Sequence, residues 1–193
     1  MAIVPADVKA ALQRQAPKAL KSKFKQVAQK EFKKIKAEMM AEFLGNPVTQ
    51  EIMEGPQAPN ISGTLGGVSN LFAFIGFDAG ENPIAPILAL LENTTLEYKQ
   101  EVAAKNIGVS FNVTLPTAED IFAITPLPWA TGRSWAQGIE RGLSGLGYLL
   151  RKNKGRSGAA IQSRVKVRGG KFHNTPYISA FLKKYRKRFE ELK

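Results

Sequence analysis

Ser134-Trp-Ala-Gln-Gly-Ile-Glu-Arg-Gly-Leu-Ser-Gly-Leu-Gly-Tyr-Leu-Leu-Arg151 is the segment from which the organisation of the chain is worked out. Ser134, with Gln137 three residues on, has the form of a capping box that satisfies two orphan backbone donors at a helix start. Trp135, Ile139, Leu143, Leu146 and Leu150 recur at helical spacing and predict one apolar face. Gly138, Gly142 and Gly145 fall beside that face. Each glycine costs a helix roughly 0.8–1 kcal/mol against alanine, so with Gly147 the load reaches about 3–4 kcal/mol. Such a load points to close approach of another backbone, through helix–sheet packing within the chain or through a neighbouring subunit.

Downstream of this segment, Arg151, Lys152, Lys154 and Arg156 open a basic loop over residues 151–171. Within it, Ile161–Arg168 alternates as an edge strand would, with Arg164, Lys166 and Arg168 on a cationic outer face. Pro176–Leu192 reads as a closing helix. Tyr177, Ile178, Phe181, Leu182, Tyr185 and Phe189 face inward, and Lys183, Lys184, Arg186, Lys187 and Arg188 face outward.

Upstream, Pro126-Leu-Pro-Trp129 forces an extended connection, because each proline disfavours helix in the residue before it. Thr117 and Asp120 cap a short helix through Ile124. Gly108–Leu115 alternates apolar and polar residues as a strand does, and Thr95–Ala103 supplies its hairpin partner. Ile84–Glu92 is a short apolar helix, and the aromatic-rich Leu71–Phe77 reads as a buried strand. Asn46–Asn70 is a long loop with one turn of helix near Thr49–Glu54; loops of this length are uncommon in compact domains and often functional. Before it, Leu20, Phe24, Val27, Phe32, Ile35, Met39 and Phe43 predict a helix over Lys18–Leu44, stopped by Gly45-Asn46-Pro47. Residues 1–17 form an N-terminal arm, either a short helix or loose chain. The organisation expected is therefore an arm followed by a single α+β domain over 18–193. A small, mostly antiparallel sheet (Leu71–Phe77, Thr95–Ala103, Gly108–Leu115, Ile161–Arg168) packs on the long helix and on the Ser134 helix.

The 193 residues carry a formal charge of +12, unevenly placed. Met1–Lys36 holds ten basic and two acidic residues, Ala37–Leu150 four and twelve, and Arg151–Lys193 fourteen and two. A mildly acidic body thus lies between two strongly basic ends, which attract nucleic acid, an anionic surface or an acidic partner. No apolar run approaches the roughly 20 residues of a membrane span. The chain has no cysteine, which excludes disulfides and thiolate chemistry and fits a reducing compartment.

Signals for catalysis are lacking. His173 is the single histidine, so zinc sites of the usual composition are excluded. A Ser-His-Asp triad would need His173 with Asp7, Asp78 or Asp120, and no nucleophile-elbow motif accompanies it. Gly63-Thr-Leu-Gly-Gly67 lacks the lysine and hydroxyl residue of a phosphate-binding loop. Glu119 and Asp120 sit in a first helical turn, where they complement the helix dipole. No metal or cofactor is expected. The basic ends carry none of the usual nucleic-acid reader signatures, which leaves sequence-independent phosphate contact as a second functional class.

Three blocks, in order, resemble the tail-completion (neck) proteins of tailed bacteriophages. Ile61-Ser62-Gly63-Thr64-Leu65 is similar to the family's Ser/Thr-Gly-x-Leu loop. Trp135-Ala-Gln-Gly-Ile-Glu-Arg-Gly142 is similar to its aromatic-Ala-x-x-aliphatic-Glu-x-Gly segment. Thr175-Pro176-Tyr177-Ile178 resembles the Pro-aromatic-aliphatic start of its last helix. The likeness covers roughly Asn60 to Lys193; Asn82–Asp120 and Arg151–Lys171 depart from the family pattern. The resemblance implies a non-enzymatic virion subunit that assembles as a homo-oligomeric ring between head and tail, beside portal, neck or tail proteins and on the path of the DNA. On that expectation Gly138, Gly142 and Gly145 serve close packing. Arg151, Lys152, Lys154, Arg156, Arg164, Lys166, Arg168, Lys183, Lys184, Arg186, Lys187 and Arg188 contact acidic neighbours or phosphate.

Overall fold

A computed structural model describes residues 6–65, 70–102, 107–142 and 175–191. Helix α1 spans Ala6–Gly45, 40 residues, or about 60 Å at 1.5 Å per residue. It starts well before Lys18 and takes in most of the segment expected to be an arm. Pro17 does not end it, because strong helix formers (Ala10, Ala11, Leu12, Ala16) flank the proline on its N-terminal side. Phe32, Ile35, Met39 and Phe43 are buried along one stripe. Gly45 closes α1, and the Asn46 side chain at once starts α2 (Pro47–Met53) by accepting from the Val48 amide at 2.9 Å, with Pro47 in the first turn. A 3₁₀ turn, Gly55–Gln57, follows, so much of the expected 46–70 loop is ordered local structure.

Leu71–Phe77 is not a strand. Leu71–Ile75 forms a short helix, α3. Its aromatic and β-branched residues favour a strand by propensity, but both ends are built as helix termini. The Asn70 side chain accepts from the Ala73 amide at 2.9 Å, and Gly76 takes φ 93°, the left-handed conformation of a helix C-cap. Helix α4 (Ala85–Glu92) buries Ile87 and Leu91, with Ile84 buried just before it. The Lys36 ammonium donates to the Glu92 and Thr94 carbonyls, placing a cation from α1 at the C-terminus of α4.

Strands β1 (Thr95–Val102) and β2 (Ile107–Thr114) pair antiparallel from Thr95 opposite Thr114 to Val102 opposite Ile107. Tyr98 faces Phe111 across the hairpin, their rings edge-to-face at 5.7 Å. Among the described residues the expected four-stranded sheet is instead two separate ribbons. The second joins β3 (Pro126–Leu127) to β4 (Ala130–Ser134), and Ile161–Arg168 lies outside the described residues. The fold is α+β, dominated by helix.

Helix α5 (Ala118–Ala123) carries the expected capping box: the Asp120 amide donates to the Thr117 hydroxyl at 3.1 Å and the Thr117 amide to Asp120 at 2.8 Å. The Thr117 amide first, and second the Thr117 hydroxyl, which donates to the same carboxylate oxygen at 2.8 Å, hold the Asp120 carboxyl below its usual range. Helix α6 (Trp135–Arg141) starts at the expected residue, and the Ser134 hydroxyl accepts from the Gln137 amide at 3.0 Å, one of the two hydrogen bonds of the expected capping box. It does not run on through Leu150. Gly142 takes φ 111°, ψ 132°, a region essentially reserved for glycine, and ends the helix; residues 143–150 lie outside the described residues. The last helix, α7 (Ile178–Glu190), buries the six inward residues that periodicity assigned to it.

Candidate functional site

Three hydrogen-bonded joints hold together the parts of the chain that carried the resemblance. The first is Glu51 on α2, fully buried. Its carboxylate accepts from the Ser62 amide at 2.9 Å and from the Leu71 amide at 2.7 Å, pinning the 61–65 loop and the start of α3 to one side chain. Buried charge is tolerated only when it is hydrogen-bonded, and the first-turn amide of a helix suits a carboxylate.

The second joint is Thr49, two residues earlier on α2. Its hydroxyl lies 2.8 Å from the Tyr177 hydroxyl in the interior. Burial raises the Tyr177 phenol above its ordinary value, so it stays neutral. Trp135 and Phe43 pack on the Tyr177 ring, with centroids at 6.4 and 6.0 Å.

At the third joint, Glu140 of α6 accepts from the Ser179 amide and hydroxyl, both at 2.6 Å, and so caps the first turn of α7. The Thr175 amide donates to the Ile139 carbonyl at 3.2 Å. Residues from all three sequence blocks thus meet around α2, α6 and the start of α7. Glycine spacing and apolar periodicity carried no signal for Glu51, Thr49 or the capping role of Glu140, because their partners are backbone amides or hydroxyls far away in sequence.

The cationic residues divide by use. Lys184 and Arg188 each pair with an acid of α1. Lys184 Nζ lies 2.6 Å from Glu42 Oε2, and Arg188 pairs with Glu38, tying α7 antiparallel along α1. The reason is position: α7 lies beside an edge of α1 that carries two acids one turn apart. The Tyr185 hydroxyl also donates to Glu42 at 2.6 Å. The Lys184 hydrogen bond, then that from Tyr185, holds the Glu42 carboxyl below its ordinary value. Burial first, and Glu42 second, pushes the Tyr185 phenol up to about 12. With side chains 53% and 42% exposed, the Lys184–Glu42 pair contributes about 0–1 kcal/mol and acts mainly to set the register of the two helices.

Lys183, Arg186 and Lys187 remain exposed on the outer face of α7. Arg151, Lys152, Lys154, Arg156, Arg164, Lys166 and Arg168 lie outside the described residues, as do Gly145 and His173. Gly138 is half-buried within α6, and its carbonyl accepts from the Gly142 amide at 2.7 Å. Gly142 is exposed, and its conformation stops the helix.

The other cationic surface is the outer part of α1. Lys23, Lys25, Lys30, Lys33 and Lys34 are exposed there, together with two large apolar residues, Phe24 at 56% and Val27 at 61%. On the hairpin side of this helix an open groove of about 280 Å³ runs between Lys25, Phe32 and Lys33 of α1 and Leu96, Tyr98 and Phe111 of β1 and β2. Among the described residues no carboxylate or histidine lines the groove. Among the described residues no three His, Cys, Asp or Glu side chains cluster as metal ligands, and no helix is long and apolar enough to cross a membrane. Comparison with family models, curated proteins and solved structures finds no match.

Proposed function

We propose that this chain is a non-enzymatic structural subunit of a tailed-bacteriophage virion, assembling as a ring at the head–tail junction around the DNA path. The observation that carries the reading is the meeting of the three resembling blocks. Ser62, held by Glu51, and Tyr177, held by Thr49, converge on α2, while Trp135 and Glu140 join α6 to Tyr177 and α7. The likeness therefore falls on residues that determine how the elements dock, not on scattered surface positions. The charge layout is consistent with ring assembly. A ring joins one surface of each subunit to a different surface of the next, and cationic helices beside an acidic body supply complementary faces.

The test is a pulldown from infected cells with the tagged full-length chain. Portal, neck or tail subunits should be captured at stoichiometric levels; a chain that captures none of them in any phage background contradicts the reading.

A sequence-independent nucleic-acid-binding protein is the second reading, favoured by the exposed Lys183, Arg186 and Lys187. Binding of random duplex DNA by the monomer, falling steeply with salt, would support it. Duplex binding that requires prior assembly would support the ring.

A further inference from the structure

We infer that the outer part of α1 is a docking edge for the acidic body of a second copy of this chain, with Phe24 and Val27 as its apolar contacts. The inference deepens the ring-subunit reading and rests on it.

Geometry supplies the first argument. Helix α7 lies antiparallel along one edge of α1, through Lys184 to Glu42, Arg188 to Glu38 and the ring contact of Phe189 with Phe32 at 5.5 Å. At 3.6 residues per turn Phe24 lies in line with Glu42, about five turns earlier, and Val27 falls close to the line of Glu38. The two exposed apolar residues therefore continue the seam that α7 covers, beyond Glu190 where α7 ends. A seam of this kind fits a protein surface. Phosphate contact would use the lysines but has no use for a phenylalanine and a valine.

Charge decides which protein surface. Lys23, Lys25, Lys30, Lys33 and Lys34 surround the seam, with Glu31 the single acid among residues 22–34. Two copies joined seam to seam by a two-fold axis would set these lysines against each other. The described body instead exposes Asp78, Glu81, Glu92, Glu97, Glu119 and Asp120, against the exposed bases Arg133 and Arg141. Contact of the seam with that body is complementary and directional, as a head-to-tail assembly requires.

The experiment uses the full-length chain with a photoreactive benzoylphenylalanine replacing Phe24, in an equal mixture of isotopically light and heavy protein at high concentration and low salt. Cross-linked peptides joining light to heavy chains should connect position 24 to residues 70–102 or 107–142 of the other copy. In parallel, Phe24→Ser with Val27→Ser should weaken self-association, measured by sedimentation, by roughly tenfold or more without lowering Tm, because both side chains are already exposed.

Cross-links confined to one chain would show that the chain covers its own seam and overturn the inference. So would position 24 joined to position 24, or a double variant that associates as well as the native protein. A variant that loses duplex DNA binding but keeps its association would give the seam to nucleic acid. A native chain that stays monomeric at every concentration overturns the second-copy assignment, while the pulldown still decides the ring-subunit reading on its own.

Discussion

Replacing Glu51 with alanine is the most demanding test of how the parts of this fold are joined. The Glu51 carboxylate is fully buried and receives two backbone donors, Ser62 at 2.9 Å and Leu71 at 2.7 Å. A hydrogen bond to a charged group is worth about 1.5–3 kcal/mol, and leaving the buried Leu71 amide without a partner adds a desolvation cost of similar size. With partial rescue of the Ser62 amide by water, the loss comes to about 3–5 kcal/mol, a large part of the 5–15 kcal/mol of an ordinary domain. At about 2–4 °C per kcal/mol for a chain of this size, Tm should fall by roughly 6–20 °C. Glu51→Gln keeps one acceptor but turns an amide NH₂ toward a backbone donor, so it should recover only part of the loss.

Circular dichroism measures the melting. Tryptophan fluorescence reports on α3 in particular, because the Trp129 indole donates to the Ile75 carbonyl at 2.7 Å. Hydrogen exchange at the Leu71 amide should accelerate in step. A Glu51→Ala protein melting within about 2 °C of the native chain, with Leu71 still protected, would refute the claim that this carboxylate pins the loop and α3 together.

Three further outcomes follow from the same geometry. Glu140→Ala removes the cap on α7 and should cost about 1 kcal/mol, read as a lower Tm and as faster exchange at Ser179. Gly142→Ala forces a side chain into a glycine-only backbone region and should cost about 1–3 kcal/mol in chemical denaturation, although the residue is exposed. For pH, the Tyr185 phenol is raised from 10.0 to about 12 in the folded chain, so its contribution is complete below pH 10 and is lost as pH rises from 10 toward 12. Tm recorded across that window should decline, and Tyr185→Phe should make the decline shallower, the rest coming from the Tyr177 phenol, which burial also raises.

Much of the architecture was legible where a pattern and its boundaries agreed. In α7, residues from Tyr177 to Phe189 sort cleanly into buried and exposed because the apolar spacing is helical throughout. The β1–β2 hairpin was legible for the equivalent reason at a period of two. Leu71–Phe77 misleads because composition and boundary disagree: Leu, Phe and Ile favour a strand, whereas Asn70 before them and Gly76 after them are helix caps. Those caps were visible in the sequence and outweigh propensity in a five-residue segment.

Helix α1 runs through Pro17 because a proline's local cost is outweighed by long helical flanks. Periodicity identified Phe24 and Val27 as part of the apolar face, but a pattern reports which side of a helix is apolar and not whether anything covers it. Glu51 was not legible at all, since a buried carboxylate bound to two main-chain amides leaves no trace in residue spacing. Of the basic residues, sequence gave the outward face of α7 but not the diversion of Lys184 and Arg188 to Glu42 and Glu38. That diversion depends on α7 docking against the one edge of α1 that is acidic.

The central claim, that copies of this chain form a ring within a virion, is tested most directly by quantitative mass spectrometry of purified phage particles from the host that encodes it. The account predicts this chain in mature particles at several copies for each portal ring, retained after nuclease treatment and high-salt washing. Its absence from particles that are otherwise complete and infectious would contradict the account.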